Sequence, residues 1–170
     1  MRDRRPVLGL SAMAFAVAFN APYAVLAATY EYPDILRCPA PEALSAFAQG
    51  GDALILTWHA FALCALAFAP LAIALSVTKD RLARAPGLTI AAATLGALAG
   101  MAQAIGLWRW VFVVPTLAHM HADPSASLEA RAAAEHTFAV LNLYGGVAIG
   151  EHLGQWLTAL CVASLSCLQW

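Results

Sequence analysis

Long apolar runs broken by short polar segments organise this chain. Val7 to Tyr30 is 24 residues without a charge, and about 20 apolar residues suffice to cross a ~30 Å hydrocarbon core. A second run, Ala53 to Val77, ends at Thr78-Lys79-Asp80-Arg81. A third begins near Leu88 and reaches Trp108, where Arg109 interrupts before apolar sequence resumes from Trp110 to Leu117. The fourth, Thr137 to Trp170, is interrupted by Glu151 and His152. Runs three and four are too long for one straight span each. The pattern predicts membrane portions at 88–108 and 146–168, with 110–118 and 124–144 projecting as a helical hairpin. Asp123 is the expected N-cap of its second helix, with Pro124 at the first helical position. Gly145-Gly146 is the expected hinge into the membrane. No alternating strand pattern is long enough to matter. The expected fold is all-α: an integral membrane helical bundle forming a single domain over 1–170. Its four transmembrane spans fall at 7–30, 53–77, 88–108 and 146–168, its outer loops at 31–52 and 109–145, and its inner loop at 78–87.

Composition supports the membrane assignment. The chain is 62% hydrophobic and 11% charged, against usual values of about 45–50% and about 25%. With a formal net charge of −1, nucleic-acid binding by bulk charge is excluded. The bilayer is the expected partner. The 40 alanines, and eight arginines to one lysine (Lys79), fit a GC-rich bacterial genome and hence a bacterial inner membrane. Cys38, Cys64, Cys161 and Cys167 form no CxxC pair, so neither a disulfide framework nor a zinc knot is indicated.

Charge sets direction. The N-terminal segment (Arg2, Arg4, Arg5) and the loop at 78–87 (Lys79, Arg81, Arg84) hold six of the nine basic residues. The 31–52 loop sets Glu31, Asp34, Glu42 and Asp52 against Arg37, and 119–136 sets Asp123, Glu129 and Glu135 against Arg131. The positive-inside rule places both termini in the cytoplasm and both acidic loops outside. A cleaved signal peptide is the rival for the first run, with Val25-Leu26-Ala27 as its cleavage site. In the outer loop, 42–49 is either a short helix laying Leu44, Phe47 and Ala48 on the interface or a packed turn.

Glycines spaced by four share one helix face and let another backbone approach. Gly96 and Gly100 on the third span and Gly146, Gly150 and Gly154 on the fourth predict a tight pair of those two spans, with oligomerisation through the same faces as the alternative. Ionisable groups at membrane depth are costly and default to functional candidates. Arg109 lies near the outer boundary and Glu151 about four to five residues below it, roughly 7 Å at the helical rise. His152 lies at similar depth, and His59 roughly 9 Å into the second span. With Asn20, Gln103 and Gln155 these form a polar cluster open to the outside. It reads as an Arg109–Glu151 ion pair fastening spans three and four, or as a site for a small ligand, an ion or a lipid headgroup. His59 and His152 can alternatively serve as axial ligands of a b-type haem. His119, His121 and His136 with Asp123 and Glu135 are weak candidates for an external metal site. Trp108 and Trp110 suit an interfacial aromatic belt. No GxSxG, P-loop, dinucleotide or HExxH motif supports an enzymatic reading.

The segments GLWRWVFVVPTLAH (106–119), RAAAEHTF (131–138) and YGGVAIGEHLGQWLTAL (144–160) resemble a bacterial domain-of-unknown-function family of multi-pass inner-membrane proteins. The resemblance implies a small helical membrane protein with Arg109, Glu151, His152 and Gln155 as its polar signature. It also implies further spans after the GEHLGQ helix, so that this chain is expected to be a C-terminally truncated member. The function expected is that of a non-enzymatic membrane protein with an outward polar pocket. A haem or metal redox component and a structural or assembly subunit are the alternatives.

Overall fold

The computed structural model describes residues 5–169. Arg2 and Arg4 of the charge argument, and Trp170, lie outside the described residues. Every regular element among these residues is helical. In chain order they are α1 (Arg5–Tyr30), a 3-10 turn (Asp34–Arg37), α2 (Ala40–Ser76), α3 (Lys79–Arg84), α4 (Pro86–Phe112), α5 (Val114–Ala122), α6 (Leu128–Leu141), a π-wound segment (Asn142–Leu153) and α7 (Gly154–Cys167). Three helical stretches are long and apolar enough to cross a membrane: Pro6–Tyr30, Ala40–Ser76 and Pro86–Ala122. The expected fourth is not among them. The π segment divides that run, leaving α6 and α7 with 14 residues each, or roughly 21 Å of α-helix apiece.

Local chemistry explains the boundaries. Gly51 adopts φ +55°, ψ −153°, a conformation that a Cβ disfavours, and it kinks α2 near its start. The 40–50 arm is therefore helical, and its Leu44 and Phe47 are buried inside the protein rather than laid on an interface. At the other end of α2, the Arg81 guanidinium donates to the Leu75 carbonyl at 2.6 Å, satisfying a terminal acceptor. Thr78 caps α3 by accepting from the Arg81 amide. Proline occupies the first turn of α4, where its missing N–H costs nothing.

The third run is helical past Trp108, as its expected extension required. Helix α4 continues to Phe112 and bends at Val113 (φ −115°, ψ −48°), because Pro115 cannot donate back and its ring crowds the preceding turn. The hairpin turn differs from expectation: Ser127, not Asp123, caps α6 by accepting from the Ala130 amide. Asp123 Oδ1 instead accepts from the Ser125 amide and hydroxyl at 2.8 and 2.7 Å, forming an Asx turn before the helix.

In space α1 packs on α2, α2 on α4, and α4 on the π segment and α7, while α1 and α7 scarcely meet. One end of the bundle is closed by an aromatic core. Trp58 and Trp110 stack at 4.8 Å and 9°, Phe47 covers Trp110 at 5.7 Å, and Tyr30 and Phe138 meet the Trp110 ring edge-on at 5.6 and 5.7 Å. The Tyr30 hydroxyl donates to the Ala43 carbonyl at 2.9 Å, tying the end of α1 to the arm of α2. Each aromatic pair contributes about 0.5–1.5 kcal/mol beyond its buried area.

Candidate functional site

Below this aromatic end lies a cavity of about 460 Å³. Phe19 and Tyr23 of α1, Tyr32 and Leu36 of the following loop, and Trp58 and Phe61 of α2 form one side. Gln103, Gly106 and Arg109 of α4 form its floor, and Gly146, Gly150, Glu151, Gln155 and Thr158 of the fourth helical run the other side. Because α1 and α7 scarcely meet, the cavity sits at the gap between them, with the exposed residues Tyr23, Glu151, Gln155 and Ala159 at its rim.

The Arg109 side of α4 is the most unusual part of this site. The residue is 7% exposed, and its guanidinium donates to the Gly106 carbonyl and to Asn142 Oδ1, the latter at 2.9 Å. Asn142 in turn donates to the Leu36 carbonyl at 3.5 Å. Arg109 Cζ lies 5.1 Å from the Trp110 ring centroid, within cation–π range. The expected Arg109–Glu151 ion pair is not formed: among the described residues, the close acid–base contacts are Arg37–Asp34 and His121–Glu135. Arg109 occupies a slot left by Gly146, where an added Cβ would stand 2.6 Å from Cζ. Glu151 remains exposed at the rim. Nε of Arg109 and the indole N–H groups of Trp58 and Trp110 are buried without an acceptor. Tyr32, beside it, has its phenol pushed above the ordinary range by burial and further by the Glu151 carboxylate, against the pull of Arg109.

The glycines divide between two neighbours. Gly154 gives way to Gln103, whose amide donates to the Thr158 hydroxyl at 3.1 Å. Gly150 faces Gly106, where an added Cβ on Gly106 would sit 2.6 Å from the Gly150 Cα. Gly100, by contrast, faces the α2 backbone at Ala65 and Ala69, and Gly96 faces Ala72 as well as Cys161. Gly96 and Gly100 thus serve mainly α2, while the expected pairing of α4 with the fourth run is made at Gly106, Gly150 and Gly154.

Four of the predicted polar residues line the cavity together: Arg109, Glu151, Gln103 and Gln155. Three do not. Asn20 donates to Ala16 within its own helix at 2.8 Å. His152 is exposed, with its ring 6.4 Å from Trp156. His59 is partly buried, and its Nδ1 has no partner. His121 Nδ1 lies 3.2 Å from Glu135 Oε1 between α5 and α6, while His119 and His136 are exposed. Among the described residues no three His, Cys, Asp or Glu side chains cluster as metal ligands. Asn142 and Gly106 are not among the residues expected at the site from the sequence. Asn142 carried a signal, because it falls four residues before Gly146 and continues the 146–150–154 series.

The model of a family described as "Domain of unknown function (DUF4386)" matches residues 7–170. No curated protein matches the chain, and no solved structure does.

Proposed function

The chain belongs to the DUF4386 family of unknown function, and on that premise we propose that it is a polytopic inner-membrane protein that binds a small ligand in the cavity beside Arg109. The reading includes a fourth crossing, made by the π segment and α7, and both termini in the cytoplasm. The aromatic end, with its acidic loops, then faces outside, and the cavity lies in the outer leaflet. The observation that carries the proposal is a nearly buried cation, Arg109, in the wall of a 460 Å³ cavity and without a carboxylate partner. Ligand sites commonly have this size and this mixture of apolar walls with a few polar groups. Helices wound as π often mark functional sites, and this one supplies Gly146, Gly150 and Glu151 to the cavity.

Filling the cavity from its rim tests this. Ala159 lines the cavity and is exposed, so Ala159→Trp adds bulk without removing a buried contact. Native mass spectrometry of the purified protein is expected to show bound small molecules that the variant loses at an unchanged melting temperature. Identical spectra for parent and variant would contradict the proposal.

A further inference from the structure

We propose that the ligand is the zwitterionic headgroup of a phospholipid, admitted sideways through the gap between α1 and α7, with its phosphate on Arg109 and its ammonium on Glu151. This rests on the cavity reading above and adds the class of ligand.

Four observations lead there. Arg109 keeps its charge under any ordinary condition, yet its acceptors are uncharged, a backbone carbonyl and Asn142. A nearly buried guanidinium without a counter-charge is costly, and an anionic oxygen group supplies the missing partner with bidentate geometry. Glu151 lines the same cavity but stands at the rim. Two opposite charges share one cavity without meeting, one deep and one shallow. A ligand carrying the reverse pair, anion inward and cation outward, answers both. A purely anionic ligand would leave Glu151 as a repulsive neighbour, and a purely cationic one would have to sit beside Arg109.

The gap identifies the source of the ligand. The two helices that flank it expose apolar side chains: Val17 and Met13 of α1 are 73% and 69% exposed, and Trp156 and Val162 of α7 59% and 53%. On the four-span reading those faces meet acyl chains, so a headgroup can reach Arg109 while its chains stay in the bilayer. A free amino-alkyl phosphate has the same charges but no use for those flanks.

The test is competition in detergent solution read by native mass spectrometry. The probes are phosphatidylethanolamine, phosphatidylglycerol with the same chains, and water-soluble glycerophosphoethanolamine. The parent is expected to retain phosphatidylethanolamine over phosphatidylglycerol by about tenfold, the scale of one well-placed charge pair. Glu151→Gln is expected to bring that ratio near unity by raising phosphatidylglycerol retention, and Ala159→Trp to abolish both. Arg109→Gln is expected to lose both lipids. Because Arg109 is buried, a melting curve accompanies that variant, and if it does not fold the two rim variants decide alone. Equal retention of the two lipids by the parent, or a ratio that Glu151→Gln leaves unmoved, overturns the zwitterion. Glycerophosphoethanolamine binding as well as the intact lipid overturns the lipid source. If Ala159→Trp removes a bound molecule that is not zwitterionic, this inference falls and the cavity reading stands. If Ala159→Trp removes nothing, both fall.

Discussion

Trp110 and Arg109 are sequence neighbours on α4, and their surroundings could hardly differ more. Trp110 is fully buried between Trp58 and Phe47, with Tyr30 and Phe138 closing its edges. Arg109, turned about 100° around the helix, lines an open-sided cavity and draws on one side-chain amide and one carbonyl. The closed end is made of matched aromatic surfaces. The cavity side is made of glycines and separated charges. One helix therefore carries a stabilising face and a face kept at a cost in stability, and mutations on the two should differ in how they respond to added ligand.

The largest effect is expected at the closed face. Trp110→Ala removes the ring shared by four aromatic neighbours and should cost about 3–5 kcal/mol, read as loss of the cooperative melt in detergent; a loss below 1 kcal/mol would mean that the stack is not structural. At the boundary between the faces, Gly106→Ala drives a Cβ into the Gly150 backbone and should cost about 1–3 kcal/mol. Gly145→Ala is the control, since its added Cβ meets only Leu141 Cδ1 at 3.6 Å and should leave the melting temperature unchanged. On the cavity face, Asn142→Ala takes an acceptor from Arg109 and should cost about 1–3 kcal/mol. Supplying phosphatidylethanolamine should recover part of that loss, whereas Trp110→Ala should show no such recovery.

The smallest effect belongs to the 123–127 turn. Hydrogen bonds from the Ser125 hydroxyl and amide hold the Asp123 carboxyl below its ordinary range. A depressed folded pKa means that the ionised carboxylate's contribution is fully present above the unfolded pKa and is lost as pH falls through the folded one. The protection factor of the Ser125 amide, its exchange corrected for the intrinsic pH dependence, should therefore fall on acidification in the parent, and should show no such step in Asp123→Ala.

The helical class and the first two apolar helices were legible because each apolar run is uninterrupted and longer than the bilayer needs. The family too could be read from the RWVF and GEHLGQ segments, and the match over 7–170 agrees. The ends of the helices were less legible. Asp123-Pro124 has the composition of a helix start, but Ser127 has the same capping ability, and the Asp123 carboxylate is engaged by Ser125 instead. Side-chain pairing was hidden for a different reason. Opposite charges at similar depth, Arg109 and Glu151, suggest an ion pair, but one-dimensional depth says nothing about azimuth. The π winding from Asn142 to Leu153 leaves Asn142, not Glu151, beside the guanidinium. The tertiary partners of glycines are equally invisible in sequence, since spacing by four marks a face without naming its neighbour. That is why Gly96 and Gly100 were assigned to the fourth run when they serve mainly α2.

A structure of the protein determined in lipid nanodiscs tests the central claim most directly. The account predicts density in the cavity touching the Arg109 guanidinium, continuing outward between α1 and α7, with Arg109 and Glu151 still apart. An occluded cavity, with the gap shut and Arg109 paired directly to Glu151, would contradict it and leave the two residues as a fastener between helices.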